Sequence, residues 1–338
     1  MNSKYKEVNS MKIEEYREYL QKQDIPDDTI EKQMSIISDF TRFLIDPGLK
    51  EITADAGKEE VESYARKLIA SGCNTIDNFS ALQDYADWLG HRKLYVALIE
   101  LMDCYNAMEV LADEIEKRHG REVRDRIFSE ALPPLGAEEK ERSTYTRMIM
   151  DQMSKQITPE EIRSAWFQVQ HGIPAYVWHK NDKEDKERYG QCGNIDEFLD
   201  LKRQERDVLL TRLRDDNKLW YTVVINDEVL EFIRRNPEME RGRREGNRIY
   251  ITKVPYKAVS YLHETDVKMK RYYACHCPLI REAILHDKPV SPDVCNCSLG
   301  HASHYLAGLD QGLKGEILDS AVKGDTRCRF VFYLQNRG

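Results

Sequence analysis

The sequence predicts an α+β protein: an all-α helical bundle at the front, then a mixed α+β domain carrying a cysteine-rich site. Three observations predict this. Apolar residues recur at helical spacing from residue 11 to about 118. Beyond "EALPPLGAEEKERS" the period mixes, with strand-like runs such as "LWYTVVIN" and "NRIYITKV" standing among helical stretches. Five of the eight cysteines (Cys275, Cys277, Cys295, Cys297, Cys328) fall in the last 64 residues. The bundle is drawn over 1–120, a Pro/Gly-then-charge linker over 121–140 and the α+β domain over 141–338.

A chain of 338 residues can bury two cores of ordinary size. Its 41% hydrophobic and 33% charged residues are ordinary for a soluble globular protein. No run of eighteen apolar residues occurs, and "MNSKYKEVNS" lacks the apolar stretch of a signal peptide, so the expectation is a cytoplasmic protein with no membrane contact. Thiols stay reduced there. Clustered cysteines then read as metal ligands or reactive groups rather than disulfides, and the scattered Cys73, Cys104 and Cys192 as buried small apolar residues.

The front helices follow in order. "IEEYREYLQKQ", "TIEKQMSIISDFTRFLI", "KEEVESYARKLIASG", "TIDNFSALQDYADWL" and "YVALIELMDCYNAMEVLADEIEKR" each carry a helical stripe. In the second, Ile30, Met34, Ile37, Phe40 and Leu44 share a face. "DIPDD", "DPGLKEIT" and "SGCNT" supply the breaks. The series Tyr19, Leu20, Thr29, Phe40, Phe43, Leu44, then Ile52, Thr53, Val61, Tyr64, Leu68, then Thr75, Ile76, Leu82, Tyr85 and Trp88 resembles the SAM-like core-binding domain of tyrosine recombinases (phage integrases). The resemblance covers about a third of the chain and implies DNA binding. Charge opposes that implication: residues 11–118 hold 13 Lys and Arg against 23 Asp and Glu, a net of −10. A DNA surface needs cations to neutralise phosphates. A protein partner for the acidic bundle is the better expectation, and a recombinase-derived DNA-binding protein is the weaker alternative. "LGHAS" at 299–303 matches a recombinase active-site box, but no His-x-x-Arg precedes it and no Tyr follows at the required distance.

In the rear part, "STYTRMIMDQMSKQ" and "TPEEIRSAWFQVQHG" read as helices, the latter with Thr158 and Glu161 as a capping box. "HKNDKEDKERYGQCG" reads as a solvated loop, "DEVLEFIRRN" and "YKAVSYLHE" as helices, and "KRYYACHC" as a strand. The arginines of "RRNPEMERGRREGNR" read as a solvated loop. The end, "GEILDSAVKGDTRCRFVFYL", reads as a hairpin closed at Lys323-Gly324-Asp325, with Cys328, Phe330, Phe332 and Leu334 on one face.

In an extended segment residues i and i+2 point the same way, so each Cys-x-Cys pair can aim two sulfurs at one spot. Pro278 suits the first turn of a helix over "LIREAIL", and Ser298 the cap of "LGHASHYLAGL". Both pairs would then stand at helix N-termini, where the thiolate is favoured. Thiolate both binds zinc and attacks carbon, so two uses stay open. Four ligands in a tetrahedron would be Cys275, Cys277, Cys295 and Cys297, with Cys328 or His276 as substitutes. Nucleophilic catalysis would use Cys297 with His301, four residues on, or His304.

The tail from Cys295 through Gly300, Glu316 and Gly324 to Cys328 and Phe330 resembles the vinyl-reductase-type small-molecule-binding domain. It is similar also to the L-2-amino-thiazoline-4-carboxylic acid hydrolase family. The match is close over about 65 residues. It implies a zinc held by Cys295 or Cys297, Glu316 and Cys328 beside a pocket for a small organic ligand. Ser320 stands where those sensors have another cysteine, and Cys275 or Cys277 could supply the missing thiolate. The expected function is therefore binding of a small organic molecule beside a structural zinc. The alternative is hydrolysis of small C–N or C–S bonds by a Cys297 thiolate or metal-bound water.

Overall fold

The computed structural model describes residues 2–45, 56–309 and 313–334; the break read at "DPGLKEIT", with Ile52 and Thr53, lies outside them. The chain divides into two units, Met1–Tyr105 with Pro133–Glu138, and Asn106–Leu132 with Glu139–Gly338. Among the described residues the regular structure of the first is all helical, and the second mixes helices with two small sheets. Helix-rich α+β is the class. Among the described residues no helix is long and apolar enough to cross a membrane.

The first unit contains α1 (Asn2–Gln21), α2 (Asp27–Ile45), α3 (Lys58–Ser71), α4 (Ile76–Trp88) and α5 (Arg92–Met102). The stripe Ile30, Met34, Ile37, Phe40 and Leu44 is buried, as the 3.6-residue period requires. Thr75 caps α4 by accepting from Asn78 N–H, and Gly72 ends α3 in the left-handed conformation. Cys73, just past that glycine, is exposed rather than buried, because the turn carries it away from the core. Cys104 is buried as expected, and Cys192 is half-buried. "YVALIELMDCYNAMEVLADEIEKR" reads as one helix but forms two. Left-handed Cys104 (φ 58°) breaks it, and the second piece, α6 (Ala107–His119), belongs to the second unit.

The second unit continues with α7 (Arg121–Ile127), α8 (Glu139–Gln156), α9 (Pro159–Val169), α10 (Ala175–Gln191) and α11 (Ile195–Asp215). Thr158 and Glu161 form the expected capping box of α9. The loop expected at "HKNDKEDKERYGQCG" is instead helical, the bulk of α10. Its buried stripe is Trp178, Asp182 and Asp185, a helical face made largely of carboxylates that hydrophobic periodicity does not see. Asp185 is held there by Lys202 at 2.6 Å.

β1 (Leu219–Trp220) and β2 (Val223–Val224) make a two-stranded ladder, followed by α12 (Asp227–Arg234). β3 (Arg243–Glu245), β4 (Arg248–Thr252), β5 (Lys314–Asp319) and β6 (Arg329–Tyr333) form an antiparallel sheet in the order β3-β4-β6-β5. Ile249 opposes Phe332 and Ile251 opposes Phe330. These four share one core with Leu299 and Ala302, against which Cys328 and Leu334 are packed. The face predicted for the last strand therefore lies inward. Between the strands run α13 (Ala258–His263), α14 (Val267–Ala274), α15 (Arg281–Leu285) and α16 (Asn296–Ser303). α14 replaces the strand expected at "KRYYACHC": Asp266 accepts from Met269 N–H and caps a helix, which overrides the β preference of the paired tyrosines.

Candidate metal centre

Three chain segments bring the terminal cysteines together. Cys275 caps the C-terminus of α14 and leaves it in extended conformation, with Cys277 two residues on. Cys295 closes the short 3-10 turn Pro292–Cys295, and Cys297 lies in the first turn of α16. Cys328 immediately precedes β6, and its carbonyl accepts from Lys253 N–H at 3.0 Å, next to the end of β4. All five thiols line one cavity, whose wall also includes Lys253, His276 and Ser320. It offers about 20 Å³ to the centre of a water-sized sphere. That admits a water or an ion and no organic molecule.

The extended i, i+2 geometry applies to the first pair only. Cys295 has helical dihedrals, and the second pair meets the cavity from a helical turn. Pro278 does not open a helix either. Its segment is a turn in which Cys277 carbonyl accepts from Arg281 N–H at 2.9 Å, and α15 starts at Arg281. Ser298 lies inside α16 rather than at its cap.

Three donors around the cavity have orienting partners in Ser320, His171 and Val254. Cys295 Sγ lies 3.2 Å from Ser320 Oγ, which places Ser320 at the cavity wall. Cys297 Sγ accepts from the backbone N–H of His171 at 3.0 Å. That N–H is aimed by a left-handed run, Gln170 (φ 46°), His171 (φ 62°) and Gly172 (φ 73°), which ends α9. A Cβ on Gly172 would meet Asn106 Oδ1 at 1.9 Å, so the run depends on glycine there. His276 Nε2 stands 2.5 Å from the carbonyl oxygen of Val254. A carbonyl only accepts, so Nε2 carries the proton and Nδ1 holds the lone pair, the arrangement that orients metal-binding imidazoles.

Burial sets the protonation states. It pushes the Cys275 thiol up to about 12, with the neighbouring Cys328 adding to the rise. Cys277 is driven well above the ordinary thiol range by burial and then by Cys275, Cys297 and Cys295. Cys295 and Cys328 are raised as well, burial being the largest cause in both. The helix-terminus effect expected to favour thiolate is thus outweighed by desolvation and by thiols crowding one another. His276 is held neutral, its pKa driven far down by burial and by the Lys253 ammonium. Among the described residues no three of these sulfurs lie within 4.8 Å of one another. Thiolates from these cysteines would be the ligands of a zinc ion, and to hold it they would have to stand closer than they do here. By donor chemistry and cavity size the wall fits a soft dication.

Three sequence-predicted residues are not brought to the cavity. Glu316 lies exposed on β5 and accepts from Tyr333 OH at 3.0 Å, because alternation along the strand turns it to solvent. His301 packs edge-on against His171, Trp178 and Tyr305, with ring centroids 4.9, 5.2 and 5.4 Å away. His304 stacks on Trp178 at 4.3 Å and lies 3.3 Å from Asp182. Sequence reasoning missed Lys253 and His171. Lys253 had a signal: it continues the inward alternation Ile249, Ile251, Lys253. His171 had none, since it acts through its backbone. No family model, curated protein or solved structure matches this chain.

Proposed function

We propose that the second unit holds one zinc ion in the five-thiol cavity, and that this ion is structural. The carrying observation is the convergence of Cys275, Cys277, Cys295, Cys297 and Cys328 from three separate segments on one ion-sized space. Four thiolates would saturate the ion, leaving no open position for water. The resemblance to the vinyl-reductase-type domain supports the same reading, with Cys275 or Cys277 in place of Glu316 and Ser320 beside the ligands. A small organic ligand belongs to this proposal as well. It would sit outside the cavity, which is too small for it.

Catalysis by a Cys297 thiolate is the weaker reading. The thiols around it are held protonated by burial, and His301, the base it would use, packs against His171, Trp178 and Tyr305 instead of lining the cavity. For the first unit we infer a SAM-like bundle that contacts protein, on the support of its helical order and its net charge of −8, 13 Lys and Arg against 21 Asp and Glu.

Elemental analysis of the purified protein, with reactive thiols counted before and after chelation, tests the metal. The expected result is about one zinc per chain and four thiols exposed by chelation. Metal-free protein that takes up no added zinc overturns the reading.

A further inference from the structure

Zinc binding to thiols has a charge consequence. Four neutral thiols release four protons to solvent, and four thiolates with one dication leave a net charge of −2 in a buried space. Such a charge is costly without a counter-ion. Two cations have fields that reach these thiols. Arg281 acts on Cys275, but it is committed to a buried ion pair with Glu139 and lies 4.3 Å from the Tyr256 ring centroid. The other is Lys253.

Lys253 is only 7% exposed and lines the thiol cavity. Its charge lowers the Cys328 thiol and acts on His276, His171 and His301. Among the described residues its ammonium has no carboxylate within ion-pair distance. Asp319, Asp325 and Glu139, the carboxylates whose fields reach these thiols, are bonded to Arg327, Ser320 N–H and Arg281. A buried lysine without a partner carboxylate disfavours the metal-free fold. The sequence places it there nonetheless, one residue past β4, continuing the alternation of Ile249 and Ile251.

We propose that Lys253 is the built-in counter-cation of the thiolate centre, a positioning residue whose ammonium offsets half of the net charge that metal loading creates. This rests on the zinc reading above. It makes the lysine unfavourable in the metal-free protein and favourable in the loaded one. An ordinary packing residue acts with one sign in both.

The test is competition of the full chain with a chromophoric zinc chelator, joined to thermal unfolding with and without zinc, for wild type, Lys253→Met and Lys253→Arg. The expected result is about 10- to 100-fold weaker zinc binding in K253M, the range for lost outer-shell partners, with K253R close to wild type. Without zinc K253M melts at or above the wild-type temperature, and with zinc below it. Equal zinc affinity in wild type and K253M overturns the lysine's role while leaving the metal site standing. So does a drop in melting temperature of the same size with and without zinc. Wild type that binds no zinc overturns both. Lys253→Gln serves the same comparison if the methionine variant does not fold.

Discussion

Among the described residues the first unit buries one Asp, Glu, Lys or Arg side chain, Glu100, and the second buries nine. In the first, the core is Ile37, Phe40, Tyr64, Phe79, Leu82 and their neighbours, with its aromatic rings packed on one another. In the second, Glu139, Arg142, Asp185, Lys202, Arg206, Lys253 and Arg281 are buried along with the apolar residues. Apolar burial is non-directional and stabilises any shape that excludes water. Buried charge stabilises only one geometry, the one in which its partner is present. The first unit therefore has the character of a scaffold, and the second that of a unit arranged around particular groups.

The largest expected effects break this comparison along its line. Glu139→Ala removes the carboxylate that Arg281 faces, both residues being almost fully buried. The expected loss is about 3–5 kcal/mol, because a buried charge then loses its counter-charge. Denaturant unfolding measures it, and hydrogen exchange assigns it to the second unit. Replacing both residues by methionine is expected to recover most of the loss, since a pair removed whole leaves no charge behind. Phe40→Ala in the first unit costs a similar ~3–5 kcal/mol through cavity formation, and no second substitution elsewhere in a charge network rescues it. Rescue of Phe40→Ala by a charge change, or failure of the double methionine variant to recover stability, would erase the distinction.

A smaller effect tests how the cysteine helix is seated. Gly300 in α16 is so close to α9 that an added Cβ would stand 1.9 Å from the carbonyl oxygen of Phe167. Backbone cannot swing aside as a side chain does. Gly300→Ala is expected to cost about 1–3 kcal/mol as overpacking, and to weaken the proposed zinc binding because Cys297 lies one turn away. Unchanged stability with unchanged zinc affinity would show that α9 and α16 separate freely.

The same comparison explains what was legible in the sequence. Apolar stripes announce themselves by period, so α2, β4 and the final strand pair were readable, down to the shared face of Cys328, Phe330 and Phe332. α10 was not, because its buried side is Asp182 and Asp185 beside Trp178. The cysteines of the cavity were readable because thiols clustered in a few dozen residues have few other uses. Glu316 was misplaced because a resemblance carries a residue over by position, whereas strand alternation turned this one outward. The protonation of the thiols was misread as well. Helix termini are visible in a sequence, but the burial that outweighs them is not.

The smallest effect sharpens the comparison at the surface, where both units use the same device. Asp39 in the first unit is bonded to Lys67 and Tyr64, each at 2.9 Å. Glu238 in the second is held by Arg329 through two bonds of 2.7 Å and by Thr252 at 3.0 Å. Partial burial alone would raise both carboxyls, but these bonds outweigh it and hold both below their ordinary values of 3.8 and 4.5. A carboxylate with a depressed folded pKa contributes its stability in full above the unfolded value. It loses that contribution as pH falls through the folded one. As acid is added, the Glu238 contribution is therefore expected to fade first, starting near 4.5, and that of Asp39 after it, from near 3.8. Stability of Glu238→Gln and Asp39→Asn against wild type, followed by denaturant unfolding from neutral pH downward, checks the order. The deficit of each variant should shrink within its own window and leave the other unit's unfolding unchanged. A deficit that persists unchanged below about pH 3 would mean that hydrogen-bond geometry, not charge, is what Arg329 and Lys67 supply.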